Sequence, residues 1–341
     1  MKIAFFDTKP YDIHWFDGIC REHGHEVKFF DYKLSEDTAI LARGYDAVCI
    51  FVNDTANSAV IDILANNGVK LIALRCSGYN NIDFSAAYGK IHVVRVPSYS
   101  PSAISEYAAA LLLAVNRKIP RAVGRTRNGN FNINGLIGVN LSGRTAGIIG
   151  TGKIGRLFAG ICRGFNMKVI AYDPYPDVSS GIEYTTLDRL ISSSDVISLH
   201  CPLTSDPHHI INKQRIQRMK DGVYIINTSR GALIDTTALI DGLKMKKIAG
   251  AGLDVYEEEE KYFFEDFSEE VITDDELMLL LSFPNVIVSS HQAFFTEEAM
   301  KQIAEVTVSN FDAFENGFKL VNELCYDCYS DKNKEKESIT K

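Results

Sequence analysis

Apolar residues in the first hundred positions come in short, nearly unbroken runs: Lys2–Phe6, Val27–Tyr32, Ala47–Phe51, Lys70–Leu74 and Ile91–Val96. Stretches of helical length lie between them, Asp54–Asn66 for example. Val/Ile-rich runs without polar alternation, separated by helices, predict a parallel sheet covered on both faces. A long helix follows. Pro101, Ser102 and Glu106 sit where a helix starts, and Ala108–Leu113 supplies helix formers. A second series of strands then begins at Arg144–Ile149 and continues through Lys168–Tyr172, Val196–Leu199, Val223–Asn227, Ala249–Leu253 and Val286–Ser289. The stretch Glu297–Leu320 reads as a last helix that returns to the first unit. The expected fold class is therefore α/β, with two doubly wound parallel-sheet domains and no solenoid period.

The second series opens on a phosphate-binding pattern. Gly150-Thr-Gly152-Lys-Ile-Gly155 matches G-x-G-x-x-G, follows the strand Thr145–Ile149 and opens a helix over Lys153–Phe165. Gly150 permits the tight turn, Gly152 lets the backbone approach a pyrophosphate, and Gly155 lets helix and strand pack closely. The helix start offers free N–H groups and the positive end of its dipole. The next strand ends at Asp173, 18 residues after Gly155. A carboxylate there accepts the hydroxyls of an adenosine ribose and repels a 2′-phosphate, which predicts NAD rather than NADP.

Composition narrows the setting. With 341 residues, about two domains are expected. The chain is 46% hydrophobic and 23% charged, with a net charge of −8, an ordinary globular balance that disfavours nucleic acid or an anionic membrane as partner. The longest apolar run, Ala108–Val115, is far too short to span a bilayer, and Asp7 interrupts the opening apolar stretch before a signal-peptide core is complete. Seven cysteines are too sparse for a disulfide scaffold. A cytoplasmic, thiol-reduced protein is expected. Cys325 and Cys328 have C-x-x-C spacing, but no further ligands stand nearby and no metal site is expected. The charged stretch 331–341 is expected to be a disordered tail.

Three strand ends of the second series carry chemistry. Arg230 follows the strand Val223–Asn227, at the carboxyl edge where open α/β sheets bind ligands. Its planar fork suits a carboxylate. Four acids, Glu257–Glu260, follow Ala249–Leu253. Spacing leaves Glu257, Glu258 and Glu259 open as functional acids, and most of such a run is expected to be solvated surface. His291 follows Val286–Ser289. His200, which ends the strand Val196–Leu199, is the next candidate among eight histidines.

These motifs resemble the D-2-hydroxyacid dehydrogenase family, and most closely its bacterial fermentative branch. The resemblance runs through Thr8-Lys-Pro-Tyr-Asp, Phe51-Val-Asn-Asp, Ala73-Leu-Arg-Cys-Ser-Gly-Tyr-Asn-Asn, Val94-Arg-Val-Pro-Ser-Tyr-Ser-Pro, the glycine loop, Asp195-Val-Ile-Ser-Leu-His-Cys-Pro-Leu, Asn227-Thr-Ser-Arg-Gly-Ala-Leu-Ile-Asp, Gly252-Leu-Asp-Val-Tyr-Glu and Ser290-His-Gln-Ala-Phe. It implies a flavodoxin-like substrate domain, 1–98 with 296–330, and a Rossmann NAD-binding domain, 99–295. Chain crossings are expected near Ser98–Ser100 and Ala293–Thr296, with domain closure excluding water.

The resemblance also implies a catalytic trio. His291 donates the proton, Glu259 pairs with its second ring nitrogen and favours its charged form, and Arg230 binds the substrate carboxylate. The implied reaction is reversible reduction of pyruvate to D-lactate with NADH. Substrate contacts are implied at Ser77, Gly78 and Tyr79, where backbone N–H groups point at an anion, with Tyr99, Phe294 and Phe295 as walls. Cofactor contacts are implied at Lys153, Ile154, Cys201, Pro202, Thr228, Ser229, Arg230 and Asp254, the last near the nicotinamide amide. The family forms dimers through the NAD domain, and its fermentative branch is often tetrameric. The alternatives are a glyoxylate/hydroxypyruvate or branched-chain 2-oxo-acid reductase, or a non-catalytic NAD(H)-sensing corepressor.

Overall fold

The computed structural model describes residues 1–203 and 209–324. The tail and the Cys325/Cys328 pair lie outside the described residues. The chain divides into two compact units, Met1–Ser100 joined by the segment that starts at Thr296, and Pro101–Phe295.

The first unit runs β1 (Lys2–Phe5), α1 (Pro10–Glu22), β2 (Glu26–Phe29), β3 (Ala47–Ile50), α2 (Ser58–Asn66), β4 (Leu71–Leu74), α3 (Phe84–Ala87) and β5 (His92–Arg95). All pairings are parallel, in the order β2-β1-β3-β4-β5. β3 and β4 are buried at every position, as continuous apolar runs in a covered sheet should be. The helix expected from Asp54 starts at Ser58 instead. Asn57 caps it by accepting from the Val60 N–H, while Asp54 turns inward to accept the Leu34 and Phe51 N–H groups at 2.5 and 2.6 Å.

The second unit holds α4 (Pro101–Asn116), α5 (Ile119–Arg127), β6 (Thr145–Ile149), α6 (Lys153–Gly164), β7 (Lys168–Tyr172), β8 (Glu183–Tyr184), α7 (Leu187–Ser193), β9 (Val196–Leu199), α8 (Lys213–Arg218), β10 (Val223–Asn227), α9 (Thr236–Lys244), β11 (Ile248–Leu253), α10 (Asp275–Ser282) and β12 (Val286–Val288). Its seven-stranded sheet has the order β12-β11-β10-β9-β6-β7-β8 and is parallel throughout. Apolar cores cover both faces. One is built on Ile197, Ile225, Leu243 and Leu253, the other on Leu112, Ile148, Phe158 and Ile226. The two doubly wound sheets of the sequence reading are both present.

α11 (Glu297–Glu315) packs on α1 of the first unit, and Asn310 on it donates to the Arg95 carbonyl. It stops five residues before the predicted Leu320, where Asn316 and Gly317, at φ +66°, break the helix. Among the described residues no helix is long and apolar enough to cross a membrane.

Candidate active site

In the second unit the strand order reverses between β6 and β9, which is where an open α/β sheet binds its ligand. Gly150 leaves β6 at φ +92°, and a side chain there would strike the backbone of His200 and Cys201 at the end of β9. A Cβ at Gly155 would run into the Gly150 carbonyl. Around Gly152 there is open space. Helices α2, α7, α9, α10 and α11 each have a side-chain cap, from Asn57, Thr186, Asp235, Asp274 and Thr296. α6 begins at Lys153 behind Gly152 with no side-chain cap. Its first N–H groups thus face the open side of the loop, next to Ile154.

Asp173, at the end of β7, accepts the Thr151 N–H at 2.7 Å and the Thr151 hydroxyl at 2.9 Å, while its other oxygen accepts the Tyr175 N–H. It braces the glycine loop. Two oxygens have about four acceptor sites, so about one remains for a ribose hydroxyl. Tyr184, which sequence reading missed, donates to Thr151 from β8. At the end of β10, the Thr228 hydroxyl is buried with no partner among the described residues, while Ser229 donates to the Leu199 carbonyl. An orphaned hydroxyl, an uncapped helix and a side-chain-free cradle fit a dinucleotide. Cys201 and Pro202 adjoin this cradle, and burial pushes the Cys201 thiol up to about 11, so it is a neutral thiol.

His200 departs from its reading as a ligand histidine. Its ring packs on Phe158 at 5.0 Å, Nε2 meets the Ser198 hydroxyl at 2.8 Å, and Nδ1 is buried without a partner. Burial pulls the imidazole down to about 3. It is a neutral support behind the glycine loop.

The trio lies in the second unit, on three strand ends. Asn227 closes β10 by donating to the Arg230 carbonyl and accepting the Ser229 N–H. The Arg230 guanidinium donates to the Ser229 carbonyl, and no carboxylate among the described residues pairs with it. Glu259 begins a short turn. One of its oxygens accepts the Tyr256 N–H at 2.9 Å, and the other lies 2.7 Å from His291 Nδ1. His291 Nε2 has no partner among the described residues. The sequence left Glu257, Glu258 and Glu259 open, and only Glu259 reaches His291. Glu257 is not solvated surface as expected. It is 2.6 Å from His209 Nε2 and accepts the Thr236 hydroxyl, whereas Glu258 and Glu260 are exposed.

Asp254 is fully buried. It accepts from the Ser289 hydroxyl and from the Gln292 and Ala293 N–H groups, while its carbonyl accepts the His291 N–H at 2.7 Å. Burial raises its pKa in spite of these bonds. Its carboxylate is committed to holding the histidine loop, a role sequence reading missed. Gln292 donates to Tyr107 at 2.6 Å. Phe294 is buried and Phe295 half-exposed, with their rings edge to face.

The implied substrate loop belongs to the first unit, as does Tyr99. The Ser77 carbonyl accepts from Arg95, the Gly78 carbonyl from the Cys76 thiol, and Tyr79 stacks on the Arg95 guanidinium at 4.9 Å. The N–H groups of Ser77, Gly78 and Tyr79 find no acceptor among the described residues. Three successive free donors are what an anion cradle requires.

A dinucleotide cradle beside an imidazole–carboxylate pair and an unpaired guanidinium defines an NAD-linked oxidoreductase. Residues 109–293 match the family D-isomer specific 2-hydroxyacid dehydrogenase, NAD binding domain. The chain belongs to this family, and its cofactor is NAD. It is 48% identical to the D-lactate dehydrogenase of Escherichia coli K12, over 95% of this chain and all of that one. It superposes on the structure described as the pyruvate reductase of Chlamydomonas reinhardtii with TM-score 0.90 and 42% identity, covering 94% of this chain and 98% of that one. It is 44% identical to an aromatic 2-oxoacid reductase of Clostridium sporogenes, over 92% and 96% of the two chains.

Proposed function

We propose that this NAD-dependent 2-hydroxyacid dehydrogenase is a D-lactate dehydrogenase that reduces pyruvate. The observation that carries the chemistry is the 2.7 Å Glu259–His291 contact, which occupies Nδ1 and leaves Nε2 free. When bound, NADH would supply the hydride that reduces the carbonyl carbon. Negative charge then grows on the carbonyl oxygen, and His291 donates a proton to it from Nε2. Glu259 orients the imidazole and balances its charge before the transfer. Arg230 holds the substrate carboxylate and polarises the carbonyl. In the first unit, the free N–H groups of Ser77, Gly78 and Tyr79 are suited to a carboxylate. Lactate oxidation runs the same steps backwards, with neutral His291 as base. The 48% identity to the Escherichia coli D-lactate dehydrogenase, over all of that chain, supports D-lactate, and with it the corresponding 2-oxo acid pyruvate.

The assembly we propose is a homo-oligomer through the NAD-binding unit. Ile119, Val123, Phe131, Ile133 and Ile137 are all exposed there, a run of apolar surface that a second copy would cover. Light scattering of the purified chain reads the assembly directly. The proposed compartment is the cytoplasm, consistent with five free cysteines among the described residues.

NADH oxidation measured with pyruvate, glyoxylate, hydroxypyruvate, 2-oxobutyrate, 4-methyl-2-oxopentanoate and phenylpyruvate, with chiral analysis of the product, tests the reading. Highest kcat/KM on pyruvate and a D-lactate product are expected. A preference for a bulkier acid moves the specificity and leaves the mechanism in place. NADH binding without turnover on any of them would remove the enzyme and favour an NAD(H)-sensing role.

A further inference from the structure

Seven non-glycine residues among those described have left-handed backbones. Asn166 and Lys246 follow helix ends, where this conformation is ordinary. Two others meet each other. Phe264 has φ +70° and His291 φ +54°, and their rings lie 6.0 Å apart at an angle of 33°. A bulky residue at positive φ persists only where its surroundings hold it there, and such residues gather at functional sites.

The holding elements are visible. Tyr262 and Phe263, just before Phe264, are buried, and both donate their N–H groups to the Glu259 carbonyl, at 3.0 and 2.9 Å. Tyr262 also packs on Phe267 at 5.3 Å. One turn therefore carries two groups to the same imidazole. Glu259 meets the Nδ1 edge, and the Phe264 ring packs beside the imidazole at 6.0 Å, tilted by 33°. The Cβ tether and the hydrogen bond at Nδ1 together set the ring orientation, but only as tightly as one soft hydrogen bond allows. An aromatic ring packed beside the imidazole narrows the rocking that remains. The direction of the Nε2–H bond then follows, and proton transfer depends steeply on that direction.

We infer that Phe264 is a positioning residue for the proton-transfer step, limiting how far the His291 ring rocks about the orientation that Glu259 sets. The inference rests on the reading of His291 as proton donor. It concerns the ring of Phe264 and not its bulk alone, so the substitutions separate the two.

The test is a mutant cycle in the full-length enzyme. Phe264→Ala, Phe264→Leu and Phe264→Tyr are made in the native chain, and Phe264→Ala also on a His291→Asn background. Steady-state kinetics on pyruvate and NADH affinity by fluorescence are read for each. Phe264→Ala is expected to lower kcat about ten- to a hundredfold, with KM and NADH affinity nearly unchanged. Phe264→Tyr restores most of kcat, and Phe264→Leu does not. On the His291→Asn background, Phe264→Ala adds little, because both act through one ring.

Phe264→Gly covers the case in which alanine at this φ disturbs the fold. Glycine adopts the backbone freely, so the melting temperature holds while kcat stays low. Native turnover in Phe264→Ala, full rescue by leucine, or an equal loss without His291 would each overturn the inference. Native turnover in His291→Asn alone would instead remove the proton-donor reading, and the positioning role with it.

Discussion

The two units place charge at their sheet edges in opposite ways. The strand order of the first unit reverses between β1 and β3, and that edge is packed with ionisable groups taken out of water. Arg75, after β4, is buried against Asp12 at 3.3 Å, donates to the Asp7 carbonyl at 2.7 Å, and lies over the rings of Phe5 and Phe51. Burial works against its charge, yet Asp12, Cys49, Asp54 and Asp7 hold its pKa above the ordinary value. Burial pushes the Asp54 carboxyl up to about 7, in spite of Arg75 and two backbone N–H donors. At the corresponding edge of the second unit, the buried titratable group beside the glycine loop is the neutral His200, while Arg230, Glu259 and His291 are only partly buried. The first arrangement rigidifies a loop, since Arg75 opens the segment that carries Ser77–Tyr79. The second keeps its charges available to a ligand. Ionisable residues at a strand end are therefore weak evidence of catalysis until their burial and partners are known.

The largest expected effects break the working side of this contrast. His291→Asn should lower kcat about a hundred- to ten-thousandfold, the usual worth of a positioned general acid. Glu259→Gln should fall in the same direction by less, and Arg230→Gln should raise the KM for pyruvate as well as lower kcat. Thermal melts of all three should stay close to the parent. A matching loss of melting temperature would make the trio structural.

The next effect belongs to the first unit. Arg75→Met leaves buried carboxylates uncompensated and should destabilise the chain by about 3–5 kcal/mol in urea melts. Arg75→Lys should recover only part, because an ammonium lacks the fork that reaches Asp12 and the Asp7 carbonyl together. An unchanged midpoint would show that the cluster carries no stability.

A smaller effect separates the edges by pH. The His200 pKa is depressed from 6.5 to about 3 in the folded chain, so its stabilisation is full above 6.5 and is lost as pH falls toward 3. The loss should be about 1.4 kcal/mol per pH unit over that window. The Asp54 shift has the opposite sign. Its pKa is raised from 3.8 to about 7, so its stabilisation is full below 3.8 and is lost as pH rises through 7. Urea midpoints of His200→Gln should be less acid-sensitive than the parent between pH 6.5 and 5. Identical slopes would remove His200 from the acid response.

The smallest effects lie within the acid run. Glu258→Gln and Glu260→Gln, both exposed, should change stability by no more than about 0.5 kcal/mol. Glu257→Gln should cost more than either, because it breaks the contact with His209.

The second unit was largely legible in sequence, since its signals are local. β6, the glycine loop, α6 and the Asp173 end of β7 are consecutive, and each residue type there answers to its neighbours in the chain. Arg230 and His291 were legible as strand-end residues for the same reason. The choice among Glu257, Glu258 and Glu259 was not legible from spacing. It depends on which carboxylate reaches His291 across 32 residues of chain, and the acid run follows no helical or strand period. α5 and β8 escaped because one is a polar helix with no buried residue and the other is two residues long.

Hydrophobic periodicity by itself determined that this chain is α/β with parallel sheets, and the glycine spacing that a nucleotide loop opens the second of them, because those features follow from contacts between near neighbours and from the need to cover apolar strands. Only tertiary packing decided that Glu257 is taken by His209, that Asp254 holds the histidine loop, that His200 is neutral, and that the Phe264 ring packs beside His291. Each of those facts depends on burial and on a partner far away in the chain, and the energy of a titratable group is set by what surrounds it.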